Sequence, residues 1–341
     1  MLSPVNRPTL IPGLPRTWRS SSQIQLGSGP PRGVVLTMAD PRAAQVLDLL
    51  DGSRSEESVL LQAARQGIGT LDARAIIDSL RTAGLAMPAA SLVPLTFPGR
   101  DRLLSEASAL ALRGFPAPAT ILRRRAGCRV VITGRGRLGA AVAVALAEAG
   151  IGHVQPDLVG SVTRGELPAG PLREADVGQA RRVAVAEAVS RAVPQTQTHP
   201  VRRGSATLVV QLDHDEPVAL LAAAHAQRRQ AHLAVTIREG VPVIGPLVPP
   251  AGGPCLSCLD LHRRDRDAGW PGVSRPDALE PCAVPTLLAA TAYATAEALT
   301  FLDGGSPETL GAATEISGPG RVRKRSWSPH PRCTCTRRPG L

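Results

Sequence analysis

The chain has 341 residues, of which 43% are hydrophobic, and its formal net charge is +11. This length is sufficient for two domains that each bury a core. Because only 2% of the residues are aromatic, platforms for base stacking are scarce, and we expect no nucleic-acid partner.

Arginine supplies nearly all of the positive charge, and Lys324 is the only lysine. This bias is typical of a GC-rich genome and does not indicate a function. No apolar core of a signal peptide follows residues 1–7. The most apolar late stretch, residues 284–302, is interrupted by polar residues and favours a buried helix over a membrane span. We therefore expect a cytoplasmic protein with no membrane partner.

Residues 1–93 are predicted to form a winged-helix-like module of the α+β class, in which residues 1–15 are flexible. Short extended pieces predict a small antiparallel sheet, and three helical patterns follow it. The extended pieces are residues 16–18, 23–26 and 33–37, and the helical patterns are residues 41–50, 55–66 and 71–83.

Oligomerisation, DNA binding and peptide binding are all open functions for this module. Its third helix carries Asp72 and Asp78, whose negative charges would repel phosphate and so disfavour DNA. A small sheet with an exposed edge beside a helix can instead take up an extended peptide as a further strand. We therefore expect the module to bind a peptide.

A proline-rich linker, residues 94–118, is predicted to lead into a second domain, residues 119–341. This domain opens with an apolar β-branched run, a glycine-rich turn and an alanine-rich helix within residues 130–150. That succession predicts a Rossmann-type unit. The glycines of its G-x-G-x-x-G pattern are Gly134, Gly136 and Gly139.

Each glycine of this turn has a physical reason to be there. Glycines permit the tight turn, let the backbone approach a ligand and allow the helix to pack closely on the strand. The helix N-terminus suits a phosphate, and Asp157 falls where a ribose-binding carboxylate is expected, roughly 20 residues on. The same glycines also serve simple packing, so a nucleotide site and a purely structural turn both remain open.

Helices and strands alternate through the second domain, which predicts an α/β fold with a doubly wound, mostly parallel sheet. The predicted helices are residues 175–193 and 217–229, and the predicted strands are residues 207–212 and 232–237, with another extended segment from residue 241. Asp213 and Asp215 follow the first of these strands, at the edge where open α/β sheets place ligand contacts.

Four of the six cysteines form two close pairs, Cys255 with Cys258 and Cys333 with Cys335. Four soft thiolates can form a closed tetrahedral zinc site with no open position for catalysis. Such a structural zinc would tie the C-terminal tail to the domain as a clasp. A redox Cys-x-x-Cys, or buried cysteines without a metal, is the alternative.

The order of five features along the chain resembles the ThiF/MoeB/HesA superfamily. These features are the glycine-rich turn, the Asp-bearing strand end, the Cys-x-x-Cys, the alanine-rich helix and the terminal cysteine pair. Members of the superfamily are ubiquitin-activating-like adenylyltransferases, and the resemblance covers residues 120–341. LLDGSR at residues 49–54 and IIDSLRTAGL at residues 76–85 are similar to the leader-binding module of azoline-forming peptide cyclodehydratases. GPCLSCLDLHRRD at residues 253–265 and WSPHPRCTC at residues 327–335 resemble the tail of the same bacteriocin or TOMM biosynthesis group.

In that group, the ThiF-like protein usually lacks adenylating activity. It presents the precursor leader peptide, and a separate YcaO-type protein uses ATP. The resemblance therefore implies a leader peptide and a YcaO-type partner, and the wider superfamily implies a homodimer.

The chain departs from the active members of the superfamily at the nucleotide site. Active ThiF-like enzymes have an aspartate-rich strand end, an Asn-Leu-x-Arg-Gln segment and a lysine after Val-Gly-Gln. Here the strand end has Asp157 alone, no Asn-Leu-x-Arg-Gln follows it, and Arg181 stands where the lysine is expected. Arginine is a planar fork and lysine a compact point charge, so the two are not interchangeable at a tuned site.

These departures favour a zinc-stapled pseudoenzyme that presents a precursor peptide to a YcaO-type cyclodehydratase. The alternative is an active adenylyltransferase that uses ATP and Mg²⁺ to activate the C-terminal carboxylate of a peptide or protein. Its candidate residues would be Arg135, Asp157, Arg181, and Asp213 or Asp215. A dinucleotide-dependent oxidoreductase rests on the glycine pattern only.

Overall fold

The computed structural model describes residues 6–28, 33–202, 206–214, 216–250, 252–270 and 280–336. The chain divides into two compact units, Met1–Arg123 and Arg124–Leu341. Among the described residues, no helix has both the length and the apolar character needed to cross a membrane.

The first unit combines short strands with short helices. Its strands are β1 (Pro8–Leu10), β2 (Arg16–Ser20), β3 (Gln23–Leu26), β4 (Val34–Thr37) and β5 (Ala86–Pro88). Its helices are α1 (Val46–Leu49), which follows a 3-10 turn at Pro41–Gln45, α2 (Glu56–Arg65), α3 (Thr70–Thr82), α4 (Ala89–Leu92) and α5 (Arg100–Leu112), while α6 (Pro118–Gly127) spans the boundary between the units.

The predicted sheet and helices of the first unit are present. β2, β3 and β4 form an antiparallel sheet in that order. Helix α2 begins where predicted because the Ser55 side chain caps it by accepting a hydrogen bond from the main chain of Ser58. Apolar residues of the sheet and of α1, α2 and α3 form one core, which includes Leu26, Val46 and Ile77. Whether this arrangement is a winged helix stays a prediction.

Two segments differ from the expectation. Residues 8–10, expected to be flexible, form β1, which pairs with β5, because Leu10 and Ile11 bury their side chains. Part of the expected linker, residues 94–118, is α5. Its residues Leu103 and Ala107 join a separate small core, so this segment holds folded structure and is not only a linker.

The second unit is built on a seven-stranded sheet. Its strands are β6 (Arg129–Gly134), β7 (His153–Leu158), β8 (Leu208–Gln211), β9 (His232–Arg238), β10 (Val241–Val248), β11 (Ala312–Gly318) and β12 (Arg321–Ser326). Its helices are α7 (Leu138–Glu148), α8 (Arg181–Ala192), α9 (Val218–Gln227), α10 (Leu256–Arg266) and α11 (Val284–Leu302), with 3-10 turns at Arg164–Glu166, Glu174–Asp176 and Thr334–Thr336.

The strand order is β12-β11-β10-β9-β8-β6-β7. The ladders that join β7, β6, β8 and β9 are parallel, and those that join β9, β10, β11 and β12 are antiparallel. Alternate residues of β9 reach opposite faces: Leu233 and Val235 join the core with α7, α8 and α11, whereas Ala234 packs with α9 and α10. Helices therefore cover both faces, as predicted for a doubly wound sheet.

Residues 284–302 are a helix, as predicted, and its side chains Leu287, Ala290, Ala294 and Ala298 lie in the main core. The helix expected at residues 175–193 is shorter, because α8 starts only at Arg181. The 3-10 turn Glu174–Asp176 precedes it.

Candidate functional site

The glycine-rich turn joins β6 to α7 at the carboxyl edge of the parallel strands. Gly134 has a φ of 99°, and a Cβ there would lie 2.5 Å from the main-chain oxygen of Asp213. At Gly139, a Cβ would lie 2.8 Å from Cδ1 of Leu212. These two glycines therefore allow the turn and the close packing of α7 against the sheet.

The carboxylate of Glu280 lies against this turn. Its Oε2 accepts a hydrogen bond from the main-chain N–H of Arg137 at 2.8 Å. Its Oε1 lies 3.0 Å from the point where a Cβ on Gly136 would be. Gly136 thus permits the close approach of an anionic group, and in this chain that group is a side chain.

The segment that carries Glu280 is held by the second arginine of the turn. The Arg137 guanidinium donates hydrogen bonds to the main-chain oxygens of Glu280 and Cys282, at 3.3 and 3.2 Å. Main-chain and side-chain contacts of one residue, Arg137, therefore fix both the path of this segment and the position of its carboxylate.

Asp213 follows β8 and lies beside Glu280. Its main-chain oxygen accepts a hydrogen bond from the N–H of Arg135 at 2.9 Å. Burial, together with the neighbouring Glu280 charge, raises the pKa of Asp213 to about 7, and burial raises the pKa of Glu280. The two carboxyl groups influence each other's ionisation, so the pair is stabilised when Asp213 holds a proton and Glu280 is ionised.

Asp157 lies on β7, next to Thr133 of the parallel strand β6. Its side chain is exposed, and the Thr133 hydroxyl donates a hydrogen bond to its Oδ2 at 3.4 Å. The carboxylate therefore lies at the same edge of the sheet as the glycine-rich turn. A Rossmann-type ribose contact would come from this position, and ribose binding by Asp157 stays a prediction.

Arg181 is held by structural contacts. Its guanidinium donates to the Glu166 carboxylate at 2.8 and 2.9 Å, to the main-chain oxygen of Ser161 at 2.8 Å, and to that of Val159. The Arg181 side chain is only 13% exposed. Most of its five donors are thus engaged within the chain. Burial tends to raise the pKa of Glu166, but the hydrogen bonds and charge of Arg181 keep that pKa below its usual range.

The structure therefore brings Gly134, Gly136, Asp213 and Asp157 to one edge of the sheet, with Glu280 as an added member. Asp215 lies outside the described residues. The sequence-based reasoning missed Glu280, which is 143 residues from its partner Arg137. No spacing pattern links the two, so only the folded chain reveals the contact.

The four predicted cysteines come together. Cys255 precedes α10 and Cys258 lies in its first turn, while Cys333 and Cys335 lie in the C-terminal segment. All four Sγ atoms lie within 4.8 Å of one another. The Sγ atoms of the pairs Cys255–Cys258, Cys255–Cys333 and Cys258–Cys335 are 3.9, 3.6 and 3.3 Å apart. Sulfurs of a tetrahedral zinc site are about 3.8 Å apart, given a Zn–S bond of about 2.3 Å, so these residues could hold a metal ion.

The chemistry of these thiols also fits a cation. Burial, with the neighbouring thiols adding to it, raises the pKa of Cys255 to about 11 and also raises the pKa of Cys335. A divalent cation reverses this preference for the protonated thiol because it stabilises thiolates.

His330 adds contacts between the C-terminal segment and α10. The main-chain N–H of His330 donates to Cys258 Sγ at 3.3 Å, and His330 Nε2 lies 2.7 Å from Asp265. The tail is thus tied to α10 at the cysteines and beside them.

The first unit offers a sheet edge for peptide binding. In the described part of the chain, β4 pairs with β3 on one side only. The main-chain N–H of Met38 donates to Ser22 on the β3 side. Donors alternate along an antiparallel strand, so the N–H groups of Val35 and Thr37 point away from β3, and the Val35 side chain is 39% exposed.

Comparison with solved structures finds the same fold in E. coli MccB. MccB with ATP matches this chain with a TM-score of 0.63 at 16% identity, over 96% of this chain and 99% of MccB. The microcin C7 biosynthetic enzyme MccB in complex with N-formylated MccA matches with a TM-score of 0.62 at the same identity and coverage. PaaA matches with a TM-score of 0.62 at 15% identity, over 92% of this chain and 98% of PaaA.

No protein-family model and no curated protein matches the chain. At these identities the likeness is one of fold. The chain has the fold of MccB along nearly its whole length.

Proposed function

We propose that this chain is a peptide-binding, ThiF-like component of modified-peptide biosynthesis that does not itself adenylate. Residues 1–93 bind a precursor leader peptide, and the chain presents it to a YcaO-type cyclodehydratase, which uses ATP. The observation that carries the proposal is the likeness to MccB over 96% of this chain and 99% of that one, in a structure where MccB is in complex with MccA. From the sequence resemblance to the ThiF/MoeB/HesA superfamily we also propose a homodimer, which sedimentation equilibrium tests, and we propose that it is cytoplasmic.

The peptide is proposed to add to the β4 edge as a fourth strand. The outward N–H groups of Val35 and Thr37 are donors that an extended peptide can accept, and strand addition supplies affinity through such main-chain bonds. The exposed Val35 side chain provides an apolar contact beside them.

The site in the second unit supports the absence of adenylation. Transfer of an adenylyl group requires several preorganised cations and donors around the phosphates. Arg181, which stands where the superfamily has lysine, is engaged with Glu166 and two main-chain oxygens. The amide of Arg137 at the glycine-rich turn is engaged with Glu280.

Zinc is proposed as a structural cofactor of Cys255, Cys258, Cys333 and Cys335. Four thiolates fill a tetrahedral coordination sphere, so no position is left for a substrate. A bound zinc ion would cross-link the C-terminal segment to α10 and would have no catalytic role.

The test is fluorescence anisotropy of a labelled precursor peptide, titrated with the full chain. Val35→Pro removes one outward N–H, whereas the matched variant Val35→Ala keeps that N–H and shortens the side chain. We expect binding by the wild type and by Val35→Ala, and at least a tenfold weaker binding by Val35→Pro, which is about 1.4 kcal/mol. Equal binding by all three chains would rule out the β4 edge, and no binding by the wild type would overturn the proposed function.

An active adenylyltransferase is the second candidate, and the equal likeness to MccB with ATP favours it. In this case Asp157, Asp213 and Arg135 would surround the nucleotide at the glycine-rich turn. ATP–pyrophosphate exchange in the presence of peptide, abolished by Asp157→Ala, would support this candidate. An exchange rate at the background of a protein-free sample would exclude it.

A further inference from the structure

The carboxylate of Glu280 occupies the position at which a Rossmann-type turn receives a phosphate. The helix α7 has 11 residues, and its first main-chain N–H groups and positive dipole end attract an anion. Beside them, the N–H of Arg137, the residue that directly precedes α7, donates to Glu280 Oε2 at 2.8 Å. Gly136, the glycine whose missing side chain lets a pyrophosphate approach in such turns, here has Glu280 Oε1 3.0 Å from the position of a Cβ.

We propose that Glu280 is an internal anion that fills the phosphate cradle of the glycine-rich turn and excludes nucleotides from it. This inference deepens the proposed function, because it rests on the turn being an unused nucleotide cradle, but it does not depend on peptide binding. It names one residue as the cause of the exclusion.

The surroundings hold the carboxylate in this place. The Arg137 guanidinium donates to the main-chain oxygens of Glu280 and Cys282, so the main chain from Glu280 to Cys282 is anchored at both of its ends. The carboxyl groups of Asp213 and Glu280 influence each other's ionisation. A protonated Asp213 leaves one net negative charge on the pair, which the turn can accept as it would accept one phosphate oxygen.

A tethered carboxylate competes with a free nucleotide at an advantage. An intramolecular group acts at an effective concentration in the millimolar range or above. A nucleotide must therefore displace Glu280 and leave its charge half-buried without the hydrogen bond from the Arg137 N–H, which is unfavourable for a charged group. The apparent affinity of the wild-type chain for ATP falls accordingly.

An internal competitor differs from a simple helix cap in the effect of removing its carboxylate. Loss of a cap destabilises the helix and adds no ligand. Loss of an internal competitor exposes the donors of the turn and adds anion binding. These consequences are measured separately, by thermal unfolding and by titration.

The experiment is calorimetric titration of the full chain with Mg·ATP, comparing the wild type with Glu280→Ala. Glu148→Ala is the matched control, because it removes the same charge at the opposite end of the same helix, where the side chain is exposed. At about 1 mM ATP, we expect no heat from the wild type or from Glu148→Ala. For Glu280→Ala we expect a dissociation constant at least about tenfold lower than that of the wild type, as removal of an intramolecular competitor predicts.

Two results would overturn the inference: ATP binding by the wild type as tight as that by Glu280→Ala, or no binding by a folded Glu280→Ala chain. If the alanine variant does not fold, Glu280→Gln is titrated instead, because it keeps the volume of the side chain and removes its charge, and the same two results apply. Peptide anisotropy on these chains separates the proposals. Absence of peptide binding by the wild type contradicts the proposed function. ATP binding that is equal in the wild type and in the Glu280 variant contradicts only the role of Glu280.

Discussion

At the scale of single residues, the glycine-rich turn leaves no space for a side chain at Gly134. A Cβ there would lie 2.5 Å from the main-chain oxygen of Asp213, whereas a Cβ on Gly178 would meet nothing within 4 Å. Both residues have positive φ, 99° and 85°. We expect Gly178→Ala to cost about 1–2 kcal/mol of unfolding free energy for its backbone conformation. Gly134→Ala should cost at least about 3 kcal/mol, because a clash adds to that strain. Urea unfolding of the two variants checks this, and equal losses would contradict it.

Arg181 is expected to matter for stability. Its contacts with Glu166 are buried, with the two side chains 13% and 9% exposed. Arg181→Ala leaves a buried carboxylate without its partner, which typically costs about 3–5 kcal/mol. The neighbouring Arg182 is exposed, so Arg182→Ala should change the unfolding free energy by less than about 0.5 kcal/mol. A large drop in nucleotide or peptide binding by a stably folded Arg181→Ala chain would instead indicate a binding role.

A buried histidine pair predicts how stability depends on pH. The rings of His225 and His232 stack at 4.1 Å between centroids, and burial, with the His232 charge as the next cause, lowers the pKa of His225 to about 3. The unfolded chain, with a pKa near 6.5, binds more protons between these values, so stability falls as the pH drops from 6.5 toward 3.

His225→Gln should therefore make the loss of stability in acid less steep than in the wild type. Asp213 acts in the opposite sense, because its folded pKa of about 7 exceeds the ordinary 3.8. Its contribution to the unfolding free energy therefore decreases as the pH rises from 3.8 to about 7. Asp213→Asn should make the loss in acid steeper. Unfolding free energies measured by urea from pH 4 to pH 8 test both signs, with the exposed His199→Gln as the control. Parallel pH profiles for all chains would contradict the assignment.

At the scale of elements, the cysteine clasp predicts a metal requirement. We expect about one zinc ion per chain, as four thiolates bind one tetrahedral ion. Chelation should make the segment at residues 327–336 sensitive to protease, because its ties to α10 centre on the cysteines. Cys335→Ser should lower both the zinc content and the thermal unfolding temperature. Cys282→Ser, outside the cluster, should change neither, and zinc loss in that control would contradict the assignment.

Much of the secondary structure could be predicted because the patterns are local. Periodic apolar residues with Ser55 as a cap locate α2, and a β-branched run before glycines locates β6. Helix α5 within the expected linker was not predicted, because the flanking prolines are a local signal and the packing of Leu103 is not. The direction of β10 also escaped prediction, because apolar alternation locates a strand without giving its neighbour.

The same distinction separates the two candidate sites. The cysteines were found because their spacing within each pair is short and their soft sulfur ligands have few other uses together. Glu280 was missed because it is one carboxylate among many in the sequence, and only the fold brings it to the glycine-rich turn.

At the scale of the whole molecule, the chain divides into two compact units, and we propose a separate task for each. The first unit is proposed to hold the peptide, and the second to provide a stable α/β body that carries a filled nucleotide cradle. Changes at Gly134 or at the cysteines should therefore lower the stability of the second unit and leave peptide affinity within about twofold, since sites without shared contacts are close to additive.

The most direct test of this division is hydrogen exchange of the full chain with a precursor peptide and, separately, with Mg·ATP. The account predicts that the peptide slows exchange at the amides of Val35 and Thr37, and that Mg·ATP leaves exchange at residues 135–139 unchanged. Slowed exchange at residues 135–139 with ATP, together with no effect of peptide on β4, would contradict it and indicate a nucleotide-binding enzyme.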